Sequence, residues 1–210
     1  MNYNYIHNEK EKNCLANTTP HLRKQKIMYQ KLPNATLLKS GHLSRQFRKI
    51  GIFTFHDACD FVWKLPYGRT SDKSNWLLVL SERTGTCSTK HALLKALANE
   101  LSLNINLVLG IYPMKESNTP GVGTVLEKYG LEYIPEAHCY LEYKGKRVDL
   151  TRHGIRCDEE ITEFFIEKNI DPDDIGEKKQ GIHKNYIKKQ YGIDKFKKIW
   201  AIREQCIGAL

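Results

Sequence analysis

The hydrophobic positions of the chain follow a helical period in some segments and a different pattern in others. Apolar residues recur at helical spacing over residues 54–63, 86–101 and 193–207, which predicts three helices. The second of these segments has only a narrow polar stripe, so we expect its helix to be central. A continuous apolar run over residues 105–112 is typical of an inner strand. After Thr151 we expect the chain to become helical.

Alternation of apolar and polar residues predicts a β-hairpin around the turn Lys144-Gly145. One face of this hairpin collects the apolar residues Cys139, Leu141, Val148 and Leu150. The other face collects the polar or amphipathic residues His138, Tyr140, Glu142, Arg147, Asp149 and Thr151. A slip of one residue in one strand would mix the two faces, so the alternation fixes the register. This register places Asp149 diagonal to His138, within reach of its side chain.

The small-residue turn Gly85-Thr86-Cys87 opens directly into the predicted central helix. Unpaired N–H groups and the helix dipole at a helix start favour a thiolate over a thiol, which makes Cys87 a candidate nucleophile. His138 follows on a predicted strand and Asp149 on the return strand. A cysteine, a histidine and an acid in this layout are typical of a Cys-His-Asp nucleophilic site.

Two nearby residues compete with these assignments. His91 lies four residues after Cys87 on the same helical face, but nothing on the helix would orient it as a base, so we interpret it as a packed residue beside the site. Cys139 follows His138 and points the opposite way, into the apolar face. The set lacks metal-ligand spacing, so we predict no metal and no other cofactor. A structural cysteine, an ordinary strand histidine and a solvated acid remain the alternatives for the three candidate residues.

The net charge of +9 is concentrated at the start of the chain. Residues 1–50 hold ten Lys and Arg against two acids, residues 51–159 hold thirteen of each, and residues 160–210 hold ten against nine. The presumed catalytic core is therefore neutral. We interpret residues 1–40 as a polar basic extension that is solvated or partly disordered, with a basic arm that docks an acidic partner as the alternative.

The length of 210 residues suits one domain with a hydrophobic core. We place this domain at residues 41–210, with its core over 54–152 and a helical part over 158–210. No apolar run approaches the roughly 20 residues needed to span a bilayer, so we expect no membrane partner. The start of the chain lacks a secretory pattern and the six cysteines lack paired C-x-x-C spacing, so we expect reduced thiols and a cytoplasmic location.

Three motifs in this order resemble the transglutaminase-like superfamily of papain-type fold, and look closest to its small bacterial members. The motifs are Gly85-Thr86-Cys87-Ser88 opening a helix, then Ala137-His138-Cys139-Tyr140-Leu141, then Arg147-Val148-Asp149-Leu150. The resemblance covers roughly residues 54–152. It implies an α+β fold in which a central helix packs on an antiparallel sheet, with Cys87 as nucleophile, His138 as base and Asp149 as the residue that orients the base.

Two differences separate the chain from the larger transglutaminases. We expect a compact single domain without their flanking β domains, and the given sequence shows no acidic calcium-site cluster near the core. Both differences weaken calcium dependence and protein crosslinking as expectations. The candidate oxyanion donors are the backbone N–H of Cys87 and the side chain of Trp76, and Tyr140 and His91 are further candidates beside the triad.

The favoured interpretation is a cysteine-dependent acyl-transfer enzyme that acts on an amide or ester bond of a peptide, a protein or a small molecule. Hydrolysis is favoured over transamidation because water needs no second binding site. Two other classes of protein stay open. One is a catalytically silent binding module of the same fold, and the other is a nucleic-acid-associated protein that uses the basic N-terminal arm, which the neutral core makes the weaker hypothesis.

Overall fold

The structure is a computed structural model that describes residues 28–153 and 161–210. Within these residues, helices pack on a four-stranded sheet whose neighbouring strands are all antiparallel. The strands are β1 (Asn106–Met114), β2 (Ile134–Tyr143), β3 (Lys146–Val148) and β4 (Ile166–Ile170). Their order across the sheet is β3-β2-β1-β4. The predicted α+β class is confirmed.

Two of the predicted helices begin at capping residues that the sequence provides. The α-helices are α1 (His42–Lys49), α2 (Phe55–Lys64), α3 (Leu78–Glu82), α4 (Cys87–Glu100), α5 (Gly123–Lys128), α6 (Glu177–Tyr191) and α7 (Ile193–Gly208), and a 3-10 helix spans Pro172–Ile175. Thr54 caps α2 by accepting a hydrogen bond from the backbone N–H of Asp57 at 3.1 Å. Thr86 and Thr89 form a reciprocal capping box at the start of α4. None of the helices in the described residues is long and apolar enough to cross a membrane.

The main hydrophobic core lies between α4 and the sheet. Its fully buried side chains include Leu93, Leu94 and Leu97 of α4, Leu107 and Leu109 of β1, and Cys139 and Leu141 of β2. Burial of each large aliphatic side chain contributes about 1.5–3 kcal/mol relative to exposure. This cluster therefore holds α4, and the cysteine at its first position, in a fixed place relative to β2.

The hairpin of β2 and β3 has the register that the alternation predicts. The paired residues are Leu141 with Val148, Glu142 with Arg147, and Tyr143 with Lys146. Lys144 and Gly145 form the turn with φ angles of 50° and 73°, in the left-handed region that two-residue hairpin turns require. Asp149 lies immediately beyond the end of β3, which leaves its side chain free to turn toward the site.

A second apolar cluster covers the opposite face of the sheet. It joins Tyr112, Met114 and Ile134 of the sheet to Val122 and Leu126 near α5, Ile187 of α6, and Ile199, Ile202 and Cys206 of α7. Side chains alternate across a strand, so this is the face to which His138 and Tyr140 belong. The C-terminal helices thus bury the face of the hairpin that the sequence marks as polar, and His138 and Tyr140 are only 6 % and 2 % exposed.

The part of the chain that the sequence predicts to be helical, residues 158–210, contains an edge strand. Residues 154–160 lie outside the described residues, and Ile166–Ile170 pairs with β1 as β4. The helical prediction was wrong here because the exposed centre of β4 shows no apolar alternation. Gly110 of β1 leaves room for Phe164, which lies two residues before β4, since a Cβ atom at Gly110 would overlap its ring.

The packed core also includes residues that the sequence assigns to the N-terminal extension. Tyr29, Leu32 and Leu37 are at most 5 % exposed and belong to the main cluster. The sequence placed the domain start near residue 41 because this segment lacks periodicity, whereas its apolar side chains pack individually against the core. The rest of the predicted basic arm, residues 1–27, lies outside the described residues.

Candidate functional site

Cys87 is the first residue of α4, and it is 8 % exposed. The side-chain oxygen of Thr89 accepts a hydrogen bond from the backbone N–H of Thr86 at 3.0 Å and holds the turn closed. Gly85 permits the close approach of this turn, since a Cβ atom there would lie 2.9 Å from the side chain of Lys90. The first N–H groups of a helix have no intrahelical acceptor, so the thiol lies where the helix favours an anion.

His138 and Asp149 are in direct contact. Nε2 of His138 donates to Oδ2 of Asp149 at 2.5 Å. The other carboxylate oxygen accepts hydrogen bonds from the backbone N–H and the hydroxyl of Thr151, at 3.0 Å and 2.5 Å. Burial by itself would raise the pKa of Asp149, but the His138 charge and hydrogen bond hold it well below its usual range. A fixed, ionised carboxylate therefore orients the imidazole.

The thiol of Cys87 and the imidazole of His138 shift each other's pKa. Burial would raise the pKa of Cys87, but the charges of Lys179 and His138, with hydrogen bonds from His138 and from the Cys139 backbone N–H, lower it to about 6. Burial would likewise lower the pKa of His138, but the charges of Asp149 and Cys87 raise it to about 10. The favoured state at neutral pH is a thiolate beside an imidazolium.

Lys179, on the C-terminal helix α6, is linked to the thiol of Cys87 through Ser88. Its Nζ donates to Oγ of Ser88 at 2.5 Å, and that oxygen lies 3.8 Å from the sulfur of Cys87. Because the Ser88 oxygen accepts from Lys179, its own O–H can donate toward the sulfur. Burial would lower the pKa of Lys179, but Cys87, Cys139 and Glu136 raise it, so the ammonium stays charged.

His91 is fully buried and binds two backbone groups. Its Nδ1 donates to the carbonyl oxygen of Cys87 at 2.8 Å, and its Nε2 accepts from the backbone N–H of Leu150 at 2.8 Å. These partners require the neutral ring, and burial, the largest influence, lowers the pKa of His91 to about 4. His91 therefore ties the start of α4 to the segment after β3, and neither ring nitrogen is free to take a proton from Cys87.

The structure does not bring Trp76 to the thiol. Its indole N–H donates to Oδ1 of Asp173 at 2.9 Å, and it lines neither of the cavities that reach Cys87. Tyr140 packs beside the imidazole of His138, with ring centroids 6.3 Å apart, and its hydroxyl donates to Glu167. Tyr140 thus supports the ring of His138 and directs its polar group away from the sulfur.

Two cavities meet at Cys87. Both also contact Tyr67 and Glu136. The polar cavity, about 450 Å³, is lined by charged and hydroxyl side chains that include Arg69, Lys73, Ser88, Lys179, Arg203 and Glu204. The apolar cavity, about 460 Å³, has a more hydrophobic wall that includes Tyr112, Met114, Pro120, Ala137 and Ile161, and it contains His138 and Asp149. A substrate can therefore extend from the sulfur in two directions.

A buried ion pair forms one wall of the polar cavity. Nε and Nη2 of Arg203 donate to the two carboxylate oxygens of Glu136, each at 2.5 Å. Burial would raise the pKa of Glu136, but Arg203 lowers it. Sequence reasoning missed Glu136, Arg203 and Lys179, because isolated charged residues on distant elements have no distinctive spacing.

The structure brings Cys87, His138 and Asp149 together, in the order that the sequence predicts. Among the other predicted residues, His91 and Tyr140 lie beside this group and Trp76 lies elsewhere. Comparison of the chain with protein-family models, with curated proteins and with solved structures finds no match in any of the three.

Proposed function

We propose that this protein is a cysteine-dependent acyl-transfer enzyme that hydrolyses an amide or ester bond. The observation that carries the proposal is the chain of contacts from Asp149 through His138 to Cys87 at a helix start. The contrast with other cysteines of the chain supports it. Burial raises the pKa of Cys139 to about 11 and the pKa of Cys59 well above its ordinary value, as expected for structural thiols.

In the first half of the proposed reaction, the thiolate of Cys87 attacks the substrate carbonyl carbon. A C–S bond forms and the carbonyl π electrons move to oxygen, for which the backbone N–H of Cys87 is the candidate hydrogen-bond donor. The tetrahedral intermediate collapses, the bond to the leaving nitrogen or oxygen breaks, and the imidazolium of His138 gives its proton to the departing group. The products are a thioester on Cys87 and a neutral imidazole.

In the second half, His138 acts as the base. It accepts a proton from water while the water oxygen attacks the thioester carbon, and collapse of this intermediate releases a carboxylic acid and the thiolate. Asp149 keeps the imidazole oriented and stabilises its charged form in both halves. Hydrolysis is preferred over transfer to an amine because the deacylation step then needs no second bound substrate.

Trapping the acyl-enzyme tests the proposal directly. The full chain is treated with 4-nitrophenyl acetate, 4-nitrophenolate release is followed at pH 7.5, and acid-quenched protein is mapped by mass spectrometry. We expect one acetyl group, on Cys87, and a burst of nitrophenolate that Cys87→Ala abolishes. Cys206→Ala, which removes another buried thiol, is the matched control and should keep the burst.

Competition between thiols supplies a second, substrate-independent test. Limiting iodoacetamide followed by peptide mapping should label Cys87 before Cys59, Cys139 and Cys206 in the folded protein. Faster labelling of Cys206 would contradict the assignment of the nucleophile. A folded protein whose Cys87 reacts with neither reagent would instead support the catalytically silent binding module.

A further inference from the structure

The polar cavity carries more positive than negative charge. Its wall holds the four cations Arg69, Lys73, Lys179 and Arg203 and the two carboxylates Glu136 and Glu204, an excess of two positive charges. The apolar cavity has the same excess, from Lys31, Lys146, Arg147 and Arg152 against Glu136 and Asp149, so the two cavities differ in the position of Lys179 beside the thiol and not in total charge. Arg203 engages both oxygens of Glu136, and its Nη1 also reaches Glu204 at 2.7 Å. Arg69 contacts the other oxygen of Glu204 at 3.2 Å. Both carboxylates are therefore already paired, and the excess charge belongs to the two lysines.

Lys179 is the cation of this pair that lies beside the thiol. Within residues 28–153 and 161–210, its ammonium forms no ion pair with a carboxylate and donates to the uncharged hydroxyl of Ser88. The negative charges that stabilise its charged form are the thiolate of Cys87, which Ser88 links to it, and the carboxylate of Glu136, which Arg203 already binds with two hydrogen bonds. Lys73 is exposed at the mouth of the same cavity.

Acylation of Cys87 removes the negative charge that balances Lys179. In the resting site His138 is balanced by Asp149 and Lys179 by the thiolate. When the sulfur becomes a neutral thioester and His138 has given up its proton, the remaining negative charge is on Asp149, which stays hydrogen-bonded to His138 and Thr151. The half-buried ammonium of Lys179 loses the anion that Ser88 links to it, which is unfavourable. A negative charge on the acyl group, placed in the polar cavity, would restore the balance.

We infer that the polar cavity is a subsite for an acyl group that carries a carboxylate, and that Lys179 is the residue that binds it. The inference rests on the proposed function, since it concerns the group that Cys87 takes up. The substrate class is an amide or ester of a dicarboxylic acid, with the free carboxylate toward Lys179 and the leaving group toward the apolar cavity. Lys73 extends the attraction to the mouth of the polar cavity.

Two alkylating reagents of nearly equal size can test whether Lys179 attracts a carboxylate to Cys87. In iodoacetate and iodoacetamide the same carbon is attacked, the C–S bond forms and iodide leaves, but only iodoacetate brings a carboxylate. The second-order rate constants of both reagents are measured on the full chain at pH 7.5, and their ratio is compared between variants. The ratio cancels any change in the thiolate fraction of Cys87, because both reagents sample the same thiolate.

Removal of the Lys179 charge should lower the iodoacetate-to-iodoacetamide ratio at least about fivefold, since unit charges a few ångströms apart interact strongly in a partly buried site. We expect this in both Lys179→Met and Lys179→Gln, either of which suffices if the other fails to fold. Lys179→Arg should keep the ratio within about twofold. Lys178→Met is the matched control, because Lys178 is the exposed neighbour on α6 that pairs with Asp174, and it should behave as wild type.

The same variants then receive matched esters, mono-4-nitrophenyl succinate and 4-nitrophenyl butyrate. The wild type should favour the succinate in its acylation rate, and Lys179→Met should lose this preference. An unchanged ratio of alkylation rates in folded Lys179→Met would overturn the carboxylate subsite while leaving the proposed nucleophile intact. Absence of selective labelling of Cys87 by both reagents in the wild type would instead remove the proposed function, and with it this inference.

Discussion

Two imidazoles lie near the carboxylate of Asp149, and their chemistry is opposite. Nε2 of His138 is 2.5 Å from Oδ2, and Nε2 of His91 is 3.8 Å from Oδ1. Both rings are almost completely buried. Burial alone would lower the pKa of both rings, yet the pKa of His138 is raised to about 10 and the pKa of His91 is lowered to about 4.

The difference comes from the partners of the ring nitrogens. His138 interacts with two anionic groups, Asp149 and the thiolate of Cys87, and both stabilise the imidazolium. His91 donates to one backbone carbonyl and accepts from one backbone N–H, and the acceptor role requires a neutral nitrogen. Burial near a carboxylate therefore does not determine the charge of an imidazole, whereas the charge of its two hydrogen-bond partners does.

The largest effect is expected when the two rings are removed in turn. His138→Ala should lower the rate of acylation by 4-nitrophenyl acetate by about 10²–10⁴-fold, because it removes both the proton donor and the charge that stabilises the thiolate. His91→Ala should change the same rate less than about tenfold, since its ring holds backbone groups only. Burst kinetics on folded variants measure both rates. A larger loss in His91→Ala would reverse the assignment of the base.

A second test replaces the carboxylate that lies between the two rings. Asp149→Asn should lower the acylation rate by about 10²-fold, because the amide keeps the size of the side chain but removes the charge that orients and stabilises the imidazolium. The matched control is Asp173→Asn, which alters the carboxylate that binds the indole of Trp76. Equal rates in the two variants would show that the charge of Asp149 does not serve the thiol.

The hairpin shows how far a sequence pattern can predict a site. Alternation over β2 and β3 fixed the register, because a slip would have mixed apolar and polar side chains on each face, and the placement of His138 and Asp149 followed from it. Small residues before a helical run likewise predicted Cys87 at the first position of α4. The sequence also identified His91 as a packed residue, because a single helical histidine has no neighbour on its own helix to orient it.

Contacts between elements that are far apart in the sequence could not be predicted from such patterns. Lys179 belongs to a lysine-rich helix and resembles its neighbours until α6 packs against the start of α4. Trp76 was chosen for its nearness in sequence to Cys87, but its indole turns to Asp173, a residue 97 positions later. The centre of β4 is exposed and its residues show no strand pattern. This strand is therefore recognisable only from its pairing with β1.

The pH dependence of alkylation tests the charge state of the Cys87–His138 pair. The rate with iodoacetamide should be nearly constant between the pKa of about 6 for Cys87 and the pKa of about 10 for His138. It should fall about tenfold between pH 7 and pH 5, where the thiolate is protonated. The same thiol in denaturant is the control and should titrate near its ordinary value of about 8.5. A folded-state midpoint near that value would contradict the ion pair.

Among the variants of His138, Asp149 and His91, we expect His91→Ala to change Cys87 reactivity the least. It should instead lower the stability of the folded protein. At pH 7 the free energy of unfolding should fall by about 2–4 kcal/mol, because the truncation leaves a cavity and an unsatisfied Leu150 N–H. The folded pKa of His91 is depressed to about 4, so the unfolded chain takes up the proton first and the wild type loses stability as pH falls below about 6.5.

The variant lacks that loss, so the stability gap between wild type and His91→Ala should narrow from pH 7 to pH 5. Urea unfolding at the two pH values measures the gap. The matched control is His42→Ala, which removes an exposed histidine of α1. A gap that widens toward pH 5 would mean that His91 is charged in the folded protein.

The order of the elements along the chain determines when the surroundings of the thiol are completed during synthesis. Cys87 leaves the ribosome first, His138 and Asp149 follow on later elements, and Lys179 comes 91 residues after its contact Ser88. A nascent chain that ends before α6 therefore lacks Lys179 and the residues of the C-terminal helices that line both cavities. The cavities beside Cys87 are complete only when the last two helices have been synthesised.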